Sequence, residues 1–284
     1  MSGQRTWQSW LRFLALRGVL IYLGLVLLAV LLQRHLIYFP IRAREEQLLR
    51  QAENEGLHPW RDREGRLIGW RSSPPDAVQP ARNRLVVFHG NAGYALHRSY
   101  YVDGFLGAAA GRANWEIFLF EYPGYGARPG SPSEESIIAA ARQAITDLLQ
   151  EDSRPLFLLG ESLGSSFAAH LAADNPKSVS GLFLVTPLTC LADVAASHYW
   201  FLPVRFMLRE HHNVQALLKG FPGPVAFLIA GRDEVMADNL GERLFKQYPG
   251  RKRLWVQPEA RHNTLDFSVG ARWWREVEDF LKEP

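Results

Sequence analysis

Gly160-Glu161-Ser162-Leu163-Gly164 follows a short apolar run at 156–159 and leads into a helix-prone stretch at 165–173. A serine bracketed by glycines between a strand and a helix is the pattern of a nucleophile elbow, which exposes its hydroxyl at the carboxyl end of a sheet. The glycines belong to that geometry because the serine backbone is strained there and larger neighbours would collide. An alcohol is a weak nucleophile near neutral pH, so Ser162 needs a base. Of the nine histidines, His262 stands just past the last apolar run, in a loop ahead of a helical stretch at 273–281. The motif prescribes the order serine, acid, histidine. The acid is then expected after the preceding strand, where the run Val225-Ala226-Phe227-Leu228-Ile229-Ala230-Gly231-Arg232 ends in Asp233. Glu234 is the adjacent fallback. These three side chains would let His262 take the Ser162 proton and return it to a leaving group while Asp233 orients the ring. An oxyanion hole completes the set: His89-Gly90-Asn91-Ala92-Gly93 comes straight after the apolar run at 85–88, and the expected donors are the backbone N–H groups of Leu163 and Asn91. His89 reads as a structural residue under that loop. The neighbours His211 and His212 would point apart on a helix and do not read as ligands.

The elements that must hold these residues are legible as alternation. Apolar runs at 85–88, 117–120, 156–159, 181–185, 225–230 and 254–256 have the length and the β-branched or aromatic content of buried strands. Helical stretches lie between most of them, such as 133–150 with Ser133 as a plausible N-cap. Strands alternating with helices predict a parallel sheet covered on both faces. A hairpin is expected over 60–72, turning at Arg63-Glu64-Gly65, then a proline-rich loop over 72–80. The segment 191–219, rich in aromatics and arginine, interrupts the rhythm and reads either as an amphipathic helix pair covering the sheet or as a cap over a pocket mouth.

The chain opens differently. From 18 to 32 there is no charged residue, and within 11–32 only Arg12 and Arg17 carry charge. A stretch of about 20 residues spans a bilayer core of about 30 Å. Trp7 and Trp10 before it and Tyr38 and Phe39 after it suit the interfacial belts. No small-residue cleavage site follows the apolar run, and no polar face marks it as a buried amphipathic helix. The expectation is an uncleaved anchor: a tail at 1–13, a transmembrane helix at 14–32, a charged connector at 33–59 with a helix end signalled by Gly56, and one catalytic domain at 60–284. Arginines flank the span on both sides, so charge favours neither orientation.

Composition narrows the rest. The 284 residues are 47% hydrophobic and 21% charged, which excludes wholesale disorder, and the lone Cys190 permits neither an internal disulfide nor a cysteine metal site. The net charge of +3 comes with arginines spread throughout, so no nucleic-acid partner is expected. No metal-ligand spacing or phosphate-binding glycine loop appears, so no cofactor is expected.

Taken together, His89-Gly90-Asn91-Ala92-Gly93, the Glu121–Gly130 segment EYPGYGARPG, the Ser162 elbow, Gly231-Arg232-Asp233 and the closing His262 resemble the successive strand-end motifs of the α/β-hydrolase superfamily over residues 60–284. The anchor, Leu36-Ile37-Tyr38-Phe39-Pro40, Asp193-Val194-Ala195 and Leu202-Pro203-Val204 are similar to a membrane-associated branch holding bacterial hydrolases, eukaryotic lysophospholipases and protein depalmitoylases. The resemblance implies an α/β-hydrolase fold with a small helical cap and ester, thioester or lipase chemistry on a small-molecule or lipidic acyl ester at a membrane bilayer. A serine peptidase or amidase on the same fold, or a non-catalytic membrane scaffold, are the other readings.

Overall fold

The computed structural model describes residues 3–73, 81–108, 114–236 and 239–283. The expected loop at 72–80 lies outside the described residues beyond Ser73. Helix α1 (Gly3–Ile37) is followed by a short strand β1 (Phe39–Pro40), helix α2 (Glu45–Asn54) and the hairpin strands β2 (His58–Arg61) and β3 (Leu67–Arg71). Then come β4 (Asn83–Phe88), the short β5 (Ala92–Gly93), α3 (Ser99–Ala108), β6 (Trp115–Phe120), α4 (Glu134–Glu151), β7 (Leu156–Glu161), α5 (Gly164–Asp174) and β8 (Val179–Val185). Three short helices follow, α6 (Leu191–His198), α7 (Val204–Met207) and α8 (Val214–Leu218), and the chain closes with β9 (Val225–Ala230), α9 (Leu240–Gln247), β10 (Lys252–Gln257) and α10 (Trp273–Lys282).

Among the described residues, eight strands form one sheet in the order β10-β9-β8-β7-β4-β6-β3-β2. The pairs from β10 to β6 are parallel, and the hairpin β2–β3 adds an antiparallel edge. Alternate residues of each strand enter opposite layers. Val86, Phe88, Leu158 and Phe227 join the core under α4, α5 and α8, whereas Leu85, Val87, Leu159 and Leu228 join the core under α3 and α10. Burial on both faces is why β4, β6, β7, β8 and β9 read as continuous apolar runs rather than as alternation. The run at 254–256, expected to be buried, lies in the edge strand β10, which is only partly buried. Strands β4, β6, β8 and β10 each begin two residues before their apolar runs, because Asn83-Arg84, Trp115-Glu116, Val179 and Lys252-Arg253 pair through their backbones, Ser180 falling at a register shift.

Local signals act as the sequence suggests. Ser133 caps α4 by accepting the Ser136 N–H, and the buried residues Ile137, Ile138, Ala141, Ala144, Ile145 and Leu148 form one stripe on the sheet. Gly56 and Gly65 both take positive φ at the turns where they were expected. The interruption at 191–219 is neither one hairpin of helices nor a smooth cover: three short helices are separated by irregular backbone. Pro203 lies in the first break, and His212, between α7 and α8, adopts φ +42. His211 and His212 therefore do not share a helix, although they do point apart, His211 being exposed and His212 fully buried.

Candidate active site

Strand β4 lies between β6 and β7, so the chain leaves it in one direction and later returns past it in the other. Ligands in open α/β sheets sit at the carboxyl ends beside such a switch point. The residues after β4 and β7 are the His89–Gly93 loop and Ser162.

Ser162 has φ +52, a left-handed conformation that a side chain-bearing residue rarely adopts. Its flanking glycines are demanded by space. A Cβ on Gly160 would lie 2.5 Å from Ser165 Cα, and one on Gly164 would lie 2.1 Å from the Phe88 carbonyl oxygen. The turn between β7 and α5 is thus pressed against the end of β4, which holds the serine at the sheet edge.

The structure brings the sequence-predicted residues together. His262 Nε2 is 3.0 Å from Ser162 Oγ, and His262 Nδ1 is 3.0 and 2.9 Å from the two carboxylate oxygens of Asp233. Asp233 is held in turn, since Oδ1 accepts the backbone N–H groups of Val235 and Met236 at 3.0 and 2.7 Å. With the Nδ1 proton facing the carboxylate, Nε2 is left as the acceptor for the Ser162 hydroxyl. Among the described residues, Glu234 meets only the His262 backbone N–H, at 3.3 Å. Both side chains of the His262–Asp233 pair are about nine-tenths buried, at 7% and 10% exposure.

Among the described residues, no hydrogen bond takes up the backbone N–H of Leu163 or Asn91. The Asn91 loop is fixed from behind. Its carbonyl accepts the Phe39 N–H at 2.9 Å and the Tyr125 hydroxyl at 2.6 Å, and its side chain donates to the Ile37 carbonyl at 3.1 Å. His89 is buried, stacks on Tyr122 at 3.8 Å between ring centroids and contacts the Gly90 carbonyl, so it packs under the loop.

Sequence reasoning missed the support of the elbow. Glu161, immediately before the serine, accepts Arg98 Nη2 at 2.7 Å and the hydroxyls of Tyr100 and Tyr101 at 2.7 and 3.1 Å. Burial works to raise the Glu161 carboxyl, but the Arg98 charge and the hydrogen bonds from Arg98 and Tyr100 outweigh it and bring the pKa down to about 2. A charge in the elbow of an apolar strand was the available signal; Arg98, 63 positions away, carried none.

A second buried polar group was also invisible, because its members are far apart in the chain. Glu134, Glu210 and His212 place their ligand atoms within 4.8 Å of one another, close enough to hold a metal, so the lack of a metal-ligand spacing in the sequence does not extend to space. Protein donors already occupy its carboxylates. Glu210 takes Arg34 at 2.8 Å and the Tyr38 hydroxyl at 2.7 Å, and Glu134 takes the backbone N–H groups of His211 and His212. Burial pushes His212 down to about 4 against the pull of Glu134 and Glu210. The cluster joins the end of α1 to the segment before α8.

Ser162 and His262 open on a cavity of about 560 Å³, within the range of small-molecule sites. Its walls are mainly apolar, with Leu188, Leu191, Val194, Leu202 and Met207 among them. Residues of α6, α7 and their connection therefore wall the pocket as a cap, while α8 packs into the core with α5.

Residues 83–228 match the sequence profile of the α/β hydrolase fold. The chain belongs to that family. An uncharacterized protein of Mycobacterium tuberculosis, Rv2307c, is 33% identical to this α/β hydrolase over 221 residues, covering 77% of this chain and 75% of its own. The lysophosphatidylserine lipase ABHD12 of Danio rerio is 27% identical over 213 residues, 66% of this chain and 52% of that protein. Among solved structures, the Pyrococcus furiosus esterase Pf2001 superposes with a TM-score of 0.60 at 16% identity, covering 87% of this chain and 97% of that one. The N-terminal helix of this α/β hydrolase contains a stretch, Trp7–Ile37, long and apolar enough to cross a membrane.

Proposed function

We propose that the protein is a membrane-anchored serine hydrolase that cleaves acyl esters or thioesters, with lipidic acyl groups as substrates. One observation carries this reading: the Ser162 hydroxyl lies 3.0 Å from His262 Nε2, whose other nitrogen is held by Asp233, at the mouth of an apolar cavity. In the proposed reaction Ser162 Oγ attacks the acyl carbonyl while His262 Nε2 takes its proton. Asp233 keeps the ring oriented and stabilises the imidazolium. The N–H groups of Leu163 and Asn91 receive the developing oxyanion; losing one such donor typically costs about 3 kcal/mol of transition-state stabilisation. His262 then protonates the leaving alkoxide or thiolate, which departs and leaves an acyl-enzyme. A water deprotonated by His262 releases the acid and restores Ser162.

The apolar pocket wall, the apolar N-terminal helix and a relative named as a lysophosphatidylserine lipase support a lipidic ester over a peptide. The test is turnover of p-nitrophenyl acyl esters of increasing chain length beside aminoacyl amides. Ester turnover that Ser162→Ala abolishes supports the reading. Amide turnover exceeding ester turnover would replace it with a peptidase, and an Ala variant that keeps the full biological effect of the protein would replace it with a scaffold.

A further inference from the structure

Helix α1 touches the body with one face. Val26, Ala29 and Val30 are partly buried and Gln33 and Ile37 buried, at spacings of three and four, while the residues between them are exposed. That face is also part of the pocket: Ala29, Val30, Gln33 and Ile37 line the cavity that reaches Ser162, together with Leu202 and Met207 of the cap. The two walls are pinned together by polar contacts. Gln33 Oε1 accepts the Arg209 N–H at 2.8 Å, Arg34 and Tyr38 meet Glu210, and the Tyr22 hydroxyl donates to the Phe201 carbonyl at 3.0 Å. From Tyr22 to Gln33 the helix rises about 16 Å, about half of a bilayer core. The cap thus runs beside the apolar span itself. Where it does so it bears Trp200 and Phe206, 83% and 93% exposed, with Tyr199 and Phe201 about half exposed.

We infer that α1 is one wall of a lipid entrance: the α6–α7 segment sits in the bilayer leaflet beside α1, from the headgroup level near Gln33 inward to Tyr22, and an acyl lipid passes from it between α1 and the cap to Ser162. The inference rests on the hydrolase reading for the fate of the lipid, though not for the placement of the cap. The occupant of the aromatic patch is the bilayer, because the same segment is hydrogen-bonded to the middle of an apolar span, and exposed aromatic clusters of this kind suit the membrane interface. The ester carbonyl reaches the serine while the rest of the molecule stays in lipid. The Ile37 carbonyl and Phe39 N–H, both bonded to Asn91, tie the same wall to the loop expected to hold the oxyanion.

Two measurements on the full chain test this. A Cys190→Ser, Phe206→Cys chain labelled with an environment-sensitive fluorophore is reconstituted into phosphatidylcholine vesicles whose acyl chains carry bromine near the headgroup. Blue-shifted emission quenched by the brominated lipid is expected; water-like, unquenched emission overturns the placement, as does quenching only by a second labelled copy. Separately, Trp200→Ser with Phe206→Ser should lower turnover of a vesicle-borne long-chain ester by about tenfold or more, and leave hydrolysis of dissolved p-nitrophenyl butyrate within about twofold. Equal effects on both esters overturn the entrance while sparing the hydrolase reading. Wild-type protein that hydrolyses neither ester ends the hydrolase reading and the entrance with it, whatever the fluorophore reports.

Discussion

Asp233 grips His262 through both carboxylate oxygens, at 3.0 and 2.9 Å from Nδ1, whereas the adjacent Glu234 reaches the His262 backbone at 3.3 Å. The two acids follow the same strand, yet one faces the ring and the other the peptide. The Asp233 turn explains the difference: its carboxylate is fixed by the N–H groups of Val235 and Met236, which aims it at the imidazole.

This separates their expected roles. Asp233→Asn should lower kcat on a soluble ester on the order of 10⁴-fold, because the amide no longer holds the tautomer that leaves Nε2 free. Glu234→Gln should stay within about threefold, since its contact with His262 is to backbone and can be kept by the amide oxygen. Steady-state kinetics of the purified variants checks both; comparable losses would mean that Asp233 is not the orienting acid.

The Arg98–Glu161 pair should matter for stability as well as rate. Both side chains are mostly buried, at 16% and 15% exposure, and removing one partner of a buried ion pair typically costs about 3–5 kcal/mol by leaving the other uncompensated. Arg98→Ala is therefore expected to lower Tm on the order of 10 °C. Thermal unfolding followed by circular dichroism reads this directly, and a Tm within about 2 °C of wild type would show that the tyrosines alone satisfy Glu161.

The buried His212 sets a pH dependence. Its folded pKa is pushed from 6.5 to about 4 by burial, with Glu134 and Glu210 pulling the other way and His170 and His211 adding to the fall. Between those values the unfolded chain holds a proton that the native chain does not, so stability declines as pH falls from about 6.5 to about 4. Each pH unit in that window costs at most about 1.4 kcal/mol. Glu134 is held at about 2 by His170, His212 and backbone N–H groups despite burial, so its stabilisation is lost only below 4.5. Tm measured from pH 7 to 4.5 should fall for wild type and fall less steeply for His212→Gln, whose amide can still donate to Tyr38. Parallel curves would assign the acid sensitivity elsewhere.

What could be read in the sequence was what is encoded locally. The Ser162 turn is specified by glycines whose Cβ atoms would collide with neighbouring backbone, and Ser133 announces α4 through its own side chain. Asp233 and His262 could be placed because each lies within five residues of a strand end, β9 being buried and β10 only partly so. The strand order was not written in any run, since β4 meets β6 and β7 only through long-range pairing. Arg98 with Glu161, and Tyr38 with Glu210 and His212, are contacts across 63, 172 and 174 positions, with no periodicity to reveal them. The 191–219 segment was ambiguous for a related reason: its helices are too short to show a repeat, and their packing on α1 and the pocket decides their form.

The central claim is that Ser162 is a nucleophile activated by His262. Its most direct test is labelling of the full-length protein with a fluorophosphonate, followed by peptide mass mapping, at neutral pH. The expected result is a single covalent adduct on Ser162 that forms in wild type, is lost in Ser162→Ala, and slows at least about 10³-fold in His262→Ala. An unlabelled wild-type protein, or an adduct on another residue with Ser162 unmodified, would contradict it.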